Sequence, residues 1–143
     1  MRIEIVPFNS VLYKHSLMIR DHVLRKPLGM EITKGDVFDE DQHIHFVAIH
    51  EERVVGCVVL IPNYKEGVGK LRQMATLEEV RDMGFGKMLV WQLEKHAKRK
   101  GMNQIVLHAR HYAAEFYKKL HYIADPEVFQ EVGIDHYKMT KSI

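Results

Sequence analysis

The feature that most constrains this chain is a glycine-bearing turn, Arg81-Asp82-Met83-Gly84-Phe85-Gly86, caught between a strand and a helix. Upstream, Lys70 to Leu77 reads as a strand that ends just before Glu78-Glu79-Val80. Downstream, Phe85, Leu89, Leu93 and Ala97 recur every four residues, which predicts a helix over Gly84 to Lys100 closed by Gly101. The first N–H groups of a helix have no intrahelical acceptor, and the helix dipole adds partial positive charge at that end. Gly84 and Gly86 let an anion approach the backbone with no Cβ in the way, and Arg81 and Lys87 flank the turn with charge. A nucleotide-triphosphate loop is excluded because Gly86-Lys87 is followed by Met88, not by a magnesium-binding hydroxyl. A dinucleotide fingerprint is excluded because it needs a third glycine after the first strand. Taken alone, a Gly-x-Gly is equally a packing turn, so its neighbours decide.

Those neighbours predict an α/β chain. Arg2 to Val6 alternates as a first strand, and Asn9 or Ser10 caps a helix from about Val11. Leu12, Met18, Ile19, Val23 and Leu24 supply its apolar stripe, and Pro27 and Gly29 break it. Thr33 to Gln42 reads as a polar, acidic loop. His43 to Ile49, with Ile44, Phe46 and Ala48 on one face, and Val54 to Ile61 form a hairpin, and Pro62 to Gly69 is a connection. Gln104 to Ala109 is a strand, Ala113 to Leu120 a helix, and Tyr122 to Ala124 and His136 to Thr140 short terminal strands. No linker or repeat interrupts residues 1–143, so one domain is expected.

Composition narrows the partners. A formal net charge of +2 gives no basic face of the kind nucleic acid requires. No apolar run is long enough for a membrane span, no signal-peptide pattern opens the chain, and one cysteine permits no intrachain disulfide. A cytoplasmic protein, monomeric or homodimeric, without nucleic-acid or membrane partners is expected.

The stretch Leu71-Arg72-Gln73-Met74-Ala75-Thr76 through Arg81 to Leu89 resembles the GNAT family, the GCN5-related N-acetyltransferases, whose hallmark is Arg/Gln-x-x-Gly-x-Gly/Ala between a strand and a helix. A second hallmark follows: Ala114-Glu115-Phe116-Tyr117-Lys118-Lys119-Leu120-His121-Tyr122 is similar to the family's Phe/Leu-Tyr-x-Lys-x-Gly-Phe segment. The likeness runs from about Phe46 to Tyr122, and Arg20 to Gly29 with Gly133 to Met139 resembles a small branch typified by ElaA and YjcF. The resemblance implies a mixed central sheet of the acyl-CoA N-acyltransferase type, flanked by helices and splayed beside the glycine turn. It implies acetyl-CoA as cosubstrate, with Met74, Ala75 and Thr76 along the pantetheine arm. Arg81, Asp82, Met83, Gly84, Phe85, Gly86 and Lys87 would surround the pyrophosphate. The implied reaction is acetyl transfer to a primary amine by direct attack, with a non-catalytic acyl-CoA sensor as the alternative. Tyr117 matches the family's general acid. Arg110 stands where the family often has Asn, and His121 where it usually has Gly, a change expected to alter the turn after the helix.

The base is not apparent, since Lys70 to Leu77 carries no carboxylate and Glu78 and Glu79 read as a solvated turn. His108 and His136 are the candidates, acting through water, because imidazole titrates in the required range. A metal is not expected: His43, His45 and His50 read as polar residues of an edge hairpin rather than three converging ligands. Cys57 is a packed small residue, and the basic run Lys95 to Lys100 is a solvated helix end. On the acceptor side, Asp36, Asp39, Glu40 and Asp41 are either an attracting field for a cationic amine or a solvated loop.

Overall fold

The computed structural model describes residues 2–143. It contains one seven-stranded sheet in the order β1-β2-β3-β4-β5-β7-β6. The strands are β1 (Arg2–Val6), β2 (Ile44–His50), β3 (Arg53–Lys65), β4 (Val68–Thr76), β5 (Gln104–Arg110), β6 (Ile123–Glu131) and β7 (Ile134–Ser142). Every neighbouring pair is antiparallel except β4 and β5, which run parallel. That exception follows from the chain path, because the helix α2 (Phe85–Arg99) lies between these two strands in sequence and carries the chain back across the sheet. Helices α1 (Val11–Arg20) and α3 (Ala114–Lys119) complete the layers.

Strand residues alternate between two cores. Phe46, Ala48, Val58, Leu60, Leu71 and Leu107 pack with Phe85, Leu89, Leu93 and Ala97 of α2 and with Tyr117 of α3. Val47, Ile49, Cys57 and Ala75 pack on the other face with Tyr13 and Ile19 of α1. The four-residue stripe predicted for α2 is therefore the buried one. The stripe predicted for α1 is buried only in part: Ile19 is buried and Leu12, Val23 and Leu24 pack against the second core, but Met18 is 69% exposed, and Tyr13, Ser16 and Arg20 are buried beside Ile19. Ser10, of the two proposed caps, receives the Tyr13 N–H at 3.2 Å.

Arg20 is buried because Glu40 comes to meet it. The two form a bidentate ion pair at 2.7 and 2.9 Å, and the Tyr13 hydroxyl donates to the same carboxylate at 2.8 Å. The acidic stretch is thus folded onto α1 rather than solvated throughout. His45, expected on an edge hairpin, is buried in an interior strand and bonds the Glu40 carbonyl at 2.7 Å. Among the described residues, no group of three His, Cys, Asp or Glu side chains converges for a metal. Cys57 is buried, and burial pushes its thiol up to about 12.

Two strand boundaries differ from expectation. β3 continues through Pro62 to Lys65, with a register irregularity between Ile61 and Lys65 that absorbs the proline. β6 and β7 are nine residues each rather than short, and a register shift between Ala124 and Val128 accommodates Pro126 in the edge strand β6.

His121 keeps the turn it was expected to alter. Its φ is 75°, and the Tyr122 N–H still returns to the Tyr117 carbonyl at 3.1 Å. A side chain in this left-handed region costs about 1–2 kcal/mol, partly offset in a glycine variant by the extra freedom of its unfolded chain. His121→Gly is therefore expected to stabilise the fold by about 0.5–1 kcal/mol, read as a higher urea midpoint at unchanged slope. A lower midpoint would show that the imidazole makes a compensating contact.

Candidate active site

The site begins where two strands part. β4 and β5 are paired only from Val68–Gln104 to Leu71–Leu107. Beyond that point β4 stays with β3, through Thr76 opposite Gly56, and β5 stays with β7, through Arg110 opposite His136. Between Arg72–Thr76 and His108–Arg110 the sheet opens into a cleft of about 1090 Å³. The sheet is splayed beside the glycine turn, as the resemblance implied.

A bulge sets what faces the cleft. Leu71 and Ala75 are four residues apart and would share a face of a regular strand. Instead Leu71 lies in the α2-side core and Ala75 in the α1-side core. The extra residue is Gln73, with φ 56°.

At the far end of β4 the chain turns into α2. Gly84 occupies the N-cap position with φ 86°, and open space surrounds the place a Cβ would take. Its glycine is required by backbone conformation. Gly86 is favoured by contact, since a Cβ there would sit 3.2 Å from the Phe116 ring, which would have to shift. Phe116 belongs to α3, so Gly86 brings the two helices together as well as baring the backbone. The first intrahelical bond is made by the Met88 N–H to the Gly84 carbonyl at 3.1 Å, which leaves Phe85, Gly86 and Lys87 as first-turn donors.

The predicted cradle residues separate into groups. Thr76, Arg81, Asp82, Gly84, Phe85, Gly86 and Lys87 line the cleft, as do Met74 and Ala75. Met83 does not: its side chain is 48% exposed and its N–H bonds the Val80 carbonyl at 3.3 Å. Arg81 curls back to donate to the Thr76 carbonyl at 3.2 Å, and the Lys87 ammonium lies over the Trp91 ring at 4.5 Å. Glu78 and Glu79 are exposed, with Glu79 paired to Arg53 at 2.6 Å, so neither is drawn into the cleft.

Three candidate catalytic side chains share the opposite wall. Tyr117, only 5% exposed, lines the cleft from α3, and burial raises its hydroxyl above its ordinary value of 10.0. His108 lines it from β5. Its Nδ1 donates to a Glu131 carboxylate oxygen at 3.0 Å, which leaves Nε2 as the free acceptor. Burial and then Lys70 lower the His108 value, and Glu131 partly restores it. His136, buried in β7, donates from Nδ1 to the Ile134 carbonyl at 2.8 Å. Glu131 is the functional neighbour that sequence reasoning missed, because it sits in a strand read as too short to include it.

The acceptor-side lip comes from the turn after α1. Val23, Leu24, Arg25 and Pro27 reach the cleft, and Arg110 donates to the Leu24 carbonyl and the Tyr112 hydroxyl, both at 2.9 Å. Arg110 therefore ties β5 to this lip. The segment from Pro62 to Gly69 lies at the other end of β4, and of it none lines the cleft.

A splayed mixed sheet whose opening ends on a bare helix N-terminus defines a site for an extended molecule with a phosphate tail. Comparison with known proteins places the chain more closely. The model of the acetyltransferase (GNAT) family matches residues 13–122. YyaT of Bacillus subtilis (strain 168) is 36% identical over 120 residues, covering 78% of each chain. The crystal structure of Escherichia coli ElaA superposes with a TM-score of 0.80 at 18% identity, covering 99% of both chains. An aminoglycoside 6'-N-acetyltransferase complexed with coenzyme A does so with a TM-score of 0.79 at 20% identity, covering 99% of this chain and 97% of that one. The chain belongs to the GNAT acetyltransferase family.

Proposed function

We propose that this protein moves the acetyl group of acetyl-CoA to a primary amine by direct attack within the β4–β5 cleft. The observation that carries the reading is the parting of these strands beyond Leu71 and Leu107, with the opening running down to the Phe85–Lys87 donors. A pantetheine arm fits there as an added strand edge, because the cleft-side backbone of Met74–Thr76 has no strand partner. The phosphates fit the first turn of α2 beside Arg81. The coenzyme A held by a structural relative with the same fold supports this choice of ligand.

Acetyl-CoA supplies an activated thioester; the chain's residues do the rest. In this reading a backbone N–H near Met74 stabilises charge on the carbonyl oxygen. His108 Nε2, its tautomer fixed by Glu131, takes the amine proton through water. As the new C–N bond forms and the C–S bond breaks, Tyr117 gives its proton to the departing sulfur. The products are an N-acetyl amine and the free thiol. His136 remains a second base candidate on the same wall.

The test is release of CoA thiol from acetyl-CoA across a panel of amines, beside calorimetric binding of acetyl-CoA. Amine-dependent thiol release is expected, with Arg81→Ala weakening acetyl-CoA binding about tenfold or more. Tight binding without turnover on a broad panel would favour the sensor. Absence of binding would defeat both.

A further inference from the structure

The wall of the cleft beyond the thioester position carries Lys70, Arg72 and Arg110, none of which has a carboxylate counter-ion among the described residues, whereas Arg25 on the lip is paired with Asp36. Arg72 is half-buried, lines the cleft, and makes no ion pair or side-chain hydrogen bond among the described residues. Lys70, two residues earlier on the same face, rests over the Tyr64 ring at 4.8 Å without a carboxylate partner among those residues. Arg110 donates only to neutral oxygens. Two carboxylates line the cleft: Asp82 lies in the glycine turn, and Glu131 is engaged by His108. The acidic loop does not compensate. Asp36 is spent on Thr33 and Arg25, and Glu40 is sealed against Arg20. Asp39 and Asp41 of the same loop are exposed and do not line the cleft.

These cations do not belong to the phosphate cradle. Arg72 precedes Thr76 by four residues with the Gln73 bulge between them, and Lys70 lies two residues farther still. They sit past the end of the pantetheine path, where the acceptor must enter. A partly desolvated guanidinium gains most from a planar oxyanion that it can grip with two parallel hydrogen bonds. Resting on the transferase reading above, we propose that the acceptor amine carries its own oxyanion, a carboxylate or a phosphate ester, held by Arg72 with Lys70 beside it. Free amino acids and amino-alcohol phosphates fit this description; polyamines do not.

The experiment compares matched acceptors by thiol release: an amino acid against its amide, an amino-alcohol phosphate against the free amino alcohol, and spermidine. The anionic member of at least one pair is expected to exceed its neutral partner at least tenfold in kcat/KM, with spermidine poorest; which pair shows it tells carboxylate from phosphate. Arg72→Gln is expected to raise KM for that acceptor at least tenfold and erase the preference, while acetyl-CoA affinity shifts less than twofold. Equal or better use of neutral or cationic acceptors by the unaltered protein would overturn the inference and leave the transferase reading standing. A preference that survives Arg72→Gln would likewise overturn it. Acetyl-CoA binding with no thiol release from any acceptor would sink both together.

Discussion

Tyr117→Phe is expected to lower kcat about 100-fold or more while leaving KM for acetyl-CoA nearly unchanged, the size of effect removed with a positioned general acid. The fold should tolerate the change. The ring packs edge-on against Phe116 at 5.0 Å and Tyr122 at 5.8 Å, and phenylalanine keeps both contacts. The hydroxyl has no side-chain or backbone partner among the described residues, so its removal orphans nothing in the protein. Burial alone raises its proton affinity, which keeps the hydroxyl protonated across the neutral range. Single-turnover measurement of thiol release isolates the chemical step from product release. An unchanged single-turnover rate would remove Tyr117 from the mechanism. A raised KM with unchanged kcat would instead make the hydroxyl a binding group.

Legibility differed between elements for identifiable reasons. α2 was readable because one face alone is buried, so its period is written in Phe85, Leu89, Leu93 and Ala97. The β6–β7 hairpin was not. Edge strand β6 is exposed on both faces along most of its length, so no alternation marks it, and Pro126 imitates a loop. The same holds for the outer end of β3, where Pro62 sits in an irregular stretch of an exposed hairpin tip. α1 misled because its buried face is partly polar: Arg20 and Ser16 point inward and Met18 outward.

Within the candidate site, the turn into α2 was legible because glycine at φ 86° and a helix start leave a sequence signature. The reason for Gly86 was only half legible, since its contact with Phe116 joins residues thirty positions apart. The Lys70 and Arg72 pair was hidden because the parting of β4 from β5, a pairing across the sheet, decides which β4 side chains line the cleft. Glu131 was hidden because its role depends on His108, a partner on another strand. Local chemistry was readable; pairings across the sheet were not.

The largest stability effect is expected at Glu40. Glu40→Ala should cost about 3–5 kcal/mol, because it leaves the Arg20 guanidinium charged, buried and without its carboxylate. Arg20 is 1% exposed and Glu40 2%, and the Arg20 Nε already lacks a partner, so little can relax to help. The double variant Arg20→Met/Glu40→Met should be more stable than either single variant, since no lone charge remains inside. A double variant as unstable as the sum of the singles would show that the pair is not coupled. The pH dependence has a definite sign. Burial pushes the Glu40 carboxyl up, but the hydrogen bonds and charge of Arg20 outweigh it and hold the value below the usual 4.5. A depressed value means the stabilisation is full above the unfolded carboxyl's pKa, near ~4.3, and is lost as pH falls through the folded one. Denaturation midpoints should therefore drop on acidification below that range in the unaltered protein, and less so in the double variant. Function should follow stability, because Arg20 leads directly into the Asp21–Arg25 turn that supplies Val23, Leu24 and Arg25 to the cleft. Loosening the ion pair frees the acceptor-side lip before it reaches the phosphate cradle on α2. A mild variant such as Glu40→Gln should thus raise KM for the amine at temperatures where acetyl-CoA binding is still intact.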